Sequence, residues 1–341
     1  MKIVVLAGGR SSEREVSMTS GSKIANALIA KGHQVLLIDL LTGTPKYTTF
    51  DRAYKELRTD YYYHQVSEKI PDLEAFSENE IGSNILEICD SADITFLALH
   101  GGIGENGKLQ GMFDIYNIKY TGSDAQSSLL AMNKLLAKKM MLFHGIPTAN
   151  WRIVSNFNHI EGIKLPAVVK PIDGGSSIGI SMAETEKELE SAIEKVQNYT
   201  NNSQILVEDK IIGREFSVGI LGEQVLPIIE LIPRPGFYDY RSKYQSGRSK
   251  RMIPAQINER FANQMKGLAK NTHRMLGLSV YSRTDFLIDK RGDIFVLEVN
   301  SLPGMTPNCL FPQDAAAAGI SFNDLCEAIV NESMKKYEVR G

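Results

Sequence analysis

Between Tyr281 and Asn300 the chain carries Arg283, Asp285, Glu298 and Asn300 on two apolar, alternating runs separated by Asp289-Lys-Arg-Gly292. This pattern predicts an antiparallel hairpin. A period of two puts Arg283, Asp285 and Leu287 on one face of the first strand, and Glu298 and Asn300 on one face of the second. A turn centred near Arg291 sets Asp285 about opposite Glu298. Carboxylates facing each other across a strand pair repel unless something neutralises them. Hard oxygen donors with room for water and phosphate describe a Mg²⁺ site; a plain solvated polar face is the other reading of the same residues. The opposite face, read as Phe286, Ile288, Phe295 and Val299, is apolar and would anchor the hairpin.

A second group of residues points to phosphate. Lys170 ends an apolar run, Leu165-Pro-Ala-Val-Val-Lys170, and Gly174-Gly-Ser-Ser-Ile-Gly179 follows it. Backbone N–H groups of a Gly/Ser-rich loop approach phosphate oxygens closely, and serine hydroxyls add donors. No GK[ST] follows, so this is no P-loop, and no GxGxxG occurs, which counts against a dinucleotide-dependent dehydrogenase. A bare turn is the alternative.

The elements that must position these groups alternate strand and helix. Ile3 to Ala7 is a β-branched strand, Ser12-Glu-Arg-Glu15 has the form of a capping box ahead of a helix from Val16 to Lys31, Gly32 closes it, and Gln34 to Asp39 is a strand. That spacing is a βαβ unit and implies a parallel sheet. The segment 41–82 has poor periodicity and reads as an irregular insertion with short helices. Ala92 to His100 is a buried strand running into a Gly-rich loop. A helix is expected from near Ser123 through Met132-Asn-Lys134 to His144, a second from Glu186 to Asn198 and a third from Glu259 to Leu276. A strand is expected at Ile205–Glu208, and a further unit holds Glu215–Glu230 and then a polar loop from Pro233 to Lys250.

Composition narrows the class. The chain has 341 residues, 43% hydrophobic and 23% charged, with a net charge of −2. These are the proportions of a globular protein of two or three domains, not those of a basic nucleic-acid binder. Cys89, Cys309 and Cys326 are far apart with no CxxC pair, so a disulfide framework and a zinc ribbon are both unsupported. No run approaches the ~20 apolar residues of a membrane span. A soluble protein of a reducing compartment is expected.

Taken in order, several segments resemble the D-alanine–D-alanine ligases of the ATP-grasp superfamily: Leu6 to Ser17, Ala98 to Gly101 with Gly104 to Gly107, Tyr120 to Ser123, Met132 to Lys134, Val169 to Pro171 with Gly175 to Gly179, Phe237 to Tyr244, Arg283 to Asp285, and Glu298 to Thr306. The resemblance implies an α/β ATP-grasp fold of three α/β domains, with a Rossmann-like parallel sheet first. The expected divisions are 1–122 for substrate, 123–212 with the phosphate loop, and 213–341 with the metal and oxyanion site. It implies a cytoplasmic homodimer that joins two D-alanines for peptidoglycan synthesis. ATP would first convert one D-alanine to its acyl phosphate, and the amine of the second would then attack.

The resemblance also implies roles residue by residue. Asp285, Glu298 and Asn300 would hold two Mg²⁺ ions, with Mn²⁺ able to substitute. Lys134, Lys170 and Ser177 would bind the nucleotide phosphates, and Glu208 and Glu215 its adenine and ribose. Arg283 and the Gly304 N–H would form the oxyanion site. Glu13 would hold the first D-alanine's ammonium, linked through Ser176 and Tyr244 to the active-site loop, with His100 nearby. Lys243, Cys309 and Leu310 would meet the second substrate.

Three positions depart from the family pattern: Asn133, where aspartate is usual; Asp173-Gly174 in the phosphate-loop turn; and Cys309, where serine is usual. A thiol is a weaker and larger donor than a hydroxyl, so an altered acceptor (D-serine, glycine or D-lactate) is an alternative reading, although Tyr244 argues for an amine acceptor. A degenerate site serving as a nucleotide sensor is the non-catalytic alternative.

Overall fold

In the computed structural model, residues 1–64, 79–155, 160–175, 179–200, 204–233 and 249–338 are described. The chain begins with β1 (Lys2–Ala7), α1 (Arg14–Ala30) and β2 (Gln34–Asp39), then α2 (Phe50–Leu57), α3 (Ile85–Asp90) and β3 (Ile94–Leu97). These strands form a parallel sheet in the order β2-β1-β3. Their near-continuous apolar runs are what a sheet covered on both faces requires. Helix α1 approaches closely because it turns small residues to the sheet. A Cβ on Gly21 would lie 2.6 Å from Ala7 Cβ. Ser17 accepts the Gly8 N–H at 2.8 Å and donates to Ala98 O at 2.7 Å, tying together the loops that end β1 and β3.

Next come α4 (Lys108–Ile115), α5 (Ala125–Met132), α6 (Lys134–Phe143), β4 (Trp151–Ser155), β5 (Ala167–Pro171), β6 (Ser181–Ala183), α7 (Glu186–Tyr199) and β7 (Gln204–Asp209). The four strands pair antiparallel in the order β4-β7-β5-β6. The amphipathic face of α7 covers them through Leu189, Ala192, Ile193 and Val196. The third sheet has the order β10-β9-β8-β11-β12, from β8 (Gly213–Leu221), β9 (Gln224–Pro233), β10 (Ser249–Met252), β11 (Tyr281–Asp289) and β12 (Ile294–Asn300). Helix α8 (Glu259–Met275) packs on one side through Met265 and Ala269. Helix α9 (Leu310–Ala317) lies against β8 and β9. Helix α10 (Phe322–Glu338) returns to the first sheet, where Leu325, Cys326, Ile329 and Val330 join the core of β1 and α1.

Four readings of the sequence are corrected here. The expected capping box does not form: α1 takes Glu13 as its N-cap without a side-chain cap, and Glu15 instead meets His64 Nε2 at 3.1 Å. The helix expected up to His144 is two helices. Asn133 has an extended ψ of 101°, closes α5 and caps α6 by accepting the Leu136 N–H, as a short amide does when it competes with the helix backbone. The core face of β12 is shifted by a bulge: Asp285 pairs with Glu298, but Phe286 pairs with Val296. The extra residue, Leu297, sends Val296 into the core in place of Phe295, which is half-buried and outside that cluster. The expected polar loop stops short, because its last two residues already belong to the strand Ser249–Met252. Residues 65–78 of the segment read as an insertion lie outside the described residues.

Candidate active site

The hairpin of β11 and β12 carries the first cluster. Arg283 faces Asn300 and Asp285 faces Glu298 in register. On the other side of β11, Asp285 faces Ser217 and Arg283 faces Gly219. Asp285 is 1% exposed and Arg283 3%. Arg283 Nε and Nη2 donate to the two Asp285 oxygens at 2.9 Å each, and Ser217 Oγ donates to Oδ1 at 2.8 Å. A planar fork on a carboxylate fixes both groups in orientation as well as in charge. Ser217 belongs to no motif read from the sequence; its signal was its place on a strand beside the hairpin.

The sequence reading thus brought the four residues together, and the structure adds that Arg283 is paired with Asp285. Asn300 Nδ2 is buried with no hydrogen-bond partner among the described residues. Two carboxylates and the carboxamide oxygen of Asn300 are hard oxygen donors of the kind a divalent cation takes.

Lys134, Lys138, Lys170 and Glu208 form the second cluster. Lys170 Nζ lies 2.6 Å from Glu208 Oε2, and Lys138 Nζ 2.9 Å from Oε1. Burial pushes the Glu208 carboxyl up, but the two ammonium groups outweigh it and hold it below its ordinary value. Lys138 was missed in the sequence, although it lies one helical turn after Lys134 on α6. It also donates to Thr148 Oγ1 at 2.7 Å and Ala149 O at 3.1 Å. Lys134, the first residue of α6, donates its N–H to Ile172 O at 2.7 Å and its ammonium to Gly174 O. Burial lowers its pKa, the Glu298 charge partly offsets this, and Lys170 adds to the lowering. The break at Asn133 is what aims Lys134 at the glycine loop. Glu215 lies on β8, opposite Leu287.

A third cluster stands at the ends of the first sheet. His100 is buried, with Nε2 3.1 Å from Ser20 Oγ, and burial together with the nearby Arg283 charge depresses its pKa to about 4. The imidazole is therefore neutral at pH 7. A Cβ on Gly101 would lie 3.4 Å from Glu13 Oε2, and one on Gly175 would lie 3.6 Å from the same oxygen. Glu13 therefore sits between the loop after β3 and the loop after β5. Beside it is Glu105, which accepts the Gly101 N–H at 2.9 Å. Burial and the Glu13 charge push its carboxyl up to about 8. The Gly104-Glu-Asn-Gly107 segment contained this residue, yet nothing in it marked the carboxyl out.

At the far end, Gly304 packs against Cys309: a Cβ there would fall 2.8 Å from Sγ. Cys309 is the N-cap of α9, its Sγ is 3.1 Å from Thr306 Oγ1, and Leu310 is buried beneath it with Ile229 and Leu231. Ser176, Ser177, Lys243 and Tyr244 lie outside the described residues.

Known proteins place this arrangement. The model "D-ala D-ala ligase N-terminus" matches residues 2–123 and "D-ala D-ala ligase C-terminus" matches 139–331. The chain belongs to the D-alanine–D-alanine ligase family. A D-alanine–D-alanine ligase of Pediococcus pentosaceus is 42% identical, with 99% of each chain covered. One of Lacticaseibacillus casei is 41% identical over 99% of this chain and 97% of its own. The Bacillus anthracis ligase complexed with ATP superposes with a TM-score of 0.78 at 28% identity, covering 100% of this chain and 99% of that one. The mixed α/β architecture, a parallel sheet followed by two antiparallel ones, is the ATP-grasp fold of the family. Among the described residues no helix is long and apolar enough to cross a membrane.

Proposed function

We propose that this protein joins two D-alanines into D-alanyl-D-alanine, using ATP and passing through D-alanyl phosphate. The observation that carries the reading is the gathering of Arg283, Asp285, Glu298 and Asn300 on one hairpin face, in a chain similar over its full length to such ligases. Lys134 and Lys170 bind the nucleotide phosphates, where point charges suit developing negative charge. Lys170 exchanges its Glu208 partner for phosphate, and Lys138 stays to neutralise Glu208. Glu208 and Glu215 orient adenine and ribose, and Ser177 adds a donor in the glycine loop.

Asp285, Glu298 and Asn300 would hold Mg²⁺, as two ions, or Mn²⁺, which would supply positive charge against the phosphates. Glu13 holds the first D-alanine's ammonium, with Ser176 and Tyr244 linking it to the loop and neutral His100 nearby. The carboxylate oxygen of that D-alanine takes the terminal phosphoryl group, and ADP leaves. The amine of the second D-alanine then attacks the carbonyl carbon. Arg283 and the Gly304 N–H receive the charge that gathers on the carbonyl oxygen, and phosphate departs as the dipeptide forms. Lys243, Cys309 and Leu310 position the acceptor.

The three-domain division at about residues 122 and 212, the homodimer, the cytoplasmic location and the supply of a peptidoglycan precursor belong to the same reading. Incubating the protein with ATP, Mg²⁺ and D-alanine and identifying products by mass spectrometry tests it. D-alanyl-D-alanine with stoichiometric ADP is expected; nucleotide binding without product would replace ligation by a sensor role.

A further inference from the structure

Arg251, on β10, belongs to none of the segments that carry the family likeness. Its Nη1 donates to Asn308 O and, at 3.0 Å, to Gln313 Oε1, residues on either side of the Cys309 cap of α9. Both acceptors are neutral. Among the described residues no carboxylate lies within ion-pair distance of Arg251, and Nε and Nη2 have no acceptor. The buried Arg14 and Arg283 are matched by Asp39 and Asp285, and even the exposed Arg214 is matched by Glu230. Burial holds the Arg251 guanidinium below its ordinary value; the Cys309 sulfur partly offsets this and the Arg283 charge adds to it. A half-buried cation without a counter-ion, close to a second cation, is costly until an anion arrives. The unsatisfied edge has the two-donor geometry that suits a carboxylate.

Resting on the ligation reading, we propose that Arg251 binds the carboxylate of the acceptor amino acid and sets acceptor specificity. It supplies the charge-assisted contact that the Cys309 thiol cannot. In the ligation reading Arg283 serves the reacting carbonyl, with Nε and Nη2 already on Asp285. Cys309 and Gly304 stand between the two arginines in role: Gly304 faces the reacting carbonyl and Arg251 the far end of the acceptor. An acceptor without a negative charge leaves Arg251 uncompensated and is rejected.

The test is a competition between D-alanine and D-alaninamide as acceptors, with ATP, Mg²⁺ and D-alanine as donor. The amide has no carboxylate to phosphorylate, so it enters only as acceptor, and mass spectrometry separates the two dipeptide products. Wild type should favour D-alanyl-D-alanine strongly. Arg251→Gln should raise the acceptor KM about ten- to hundredfold, the range for losing a charged contact, and erase most of the discrimination while the KM for ATP stays put. Arg251→Lys should recover part of the preference. Both products falling together in Arg251→Gln, with a lower melting temperature, would reduce Arg251 to a tie between β10 and α9 and overturn the proposal. Unchanged discrimination in a folded variant would overturn it too. A wild type that makes neither dipeptide would refute the ligation reading itself, a result distinct from either of these.

Discussion

Asp314 offers the sharpest check on the electrostatics beneath the hairpin. It is fully buried on α9, and apart from the approach of the Gly219 N–H neither carboxylate oxygen has a hydrogen-bond partner among the described residues. The backbone nearest to it is Gly219, at the bulge where β8 slips against β9. Burial pushes its pKa well above 3.8; the Arg283 charge opposes this, the Asp285 charge reinforces it and the Gly219 N–H opposes it. Burial wins because Arg283 directs both aligned donors at Asp285. A carboxyl raised in this way keeps its proton in the fold after the unfolded chain has released it. The fold then loses stability as pH rises from 3.8 toward the folded value, at ~1.4 kcal/mol per pH unit. Asp314→Asn preserves the shape and removes the titration. Its stability relative to wild type should climb with pH for as long as the folded Asp314 keeps its proton. Urea melts of both proteins at pH 5, 6 and 7 measure the difference. Parallel curves would mean that Asp314 ionises normally and has found a partner for its charge, and the reasoning would fail.

Arg283→Ala should leave ATP binding measurable by calorimetry yet cut kcat by about 10²–10³, the cost of one oxyanion donor; unchanged turnover would remove Arg283 from the chemistry. His273 is buried on α8 against Ser282, with its pKa depressed to about 4, chiefly by burial. The fold resists protonating it, so its contribution is intact above about 6.5 and is lost as pH falls toward 4, by about 3 kcal/mol in all; His273→Asn should flatten that part of the acid profile in chemical denaturation. A Cβ on Gly213 would lie 1.9 Å from the Ile288 carbonyl, whereas one on Gly267 in α8 meets nothing within 4 Å. Gly213→Ala should therefore cost about 3 kcal/mol or more, and Gly267→Ala should gain about 0.5–1 kcal/mol from helix propensity, both read from urea midpoints.

The sequence made the strands and the site-bearing hairpin legible because short-range alternation and turn chemistry specify them. Asp285 opposite Glu298 follows from nothing more than strand period and turn length. What stayed hidden depends on contacts between distant segments. The bulge at Leu297 leaves no local mark, so Phe295 was placed in the core where Val296 belongs. Asn133 stands in the sequence only as a departure from aspartate, yet its amide splits a helix in two and aims Lys134. The pairing of Lys170 with Glu208 depends on β5 lying beside β7, which is decided by chain crossings far apart in sequence, whereas Arg283 and Asp285 sit two residues apart on one strand. Lys138, Arg251 and Glu105 carry no motif at all; burial and neighbouring charge single them out, and both exist only in the folded protein.

The return of α10 to the first sheet has a consequence for how the protein comes into being. Strands β1 and β3 leave the ribosome early, but Leu325, Cys326, Ile329 and Val330, which complete their core, are synthesised roughly 230 residues after β3 and roughly 320 after β1. At about 5–20 residues per second that delay is on the order of tens of seconds. During it the opening βαβ unit must persist with an apolar face uncovered, a natural client for a holding chaperone. The final helix is thus less a tail than a clasp, and losing it would expose the first part of the chain to be made.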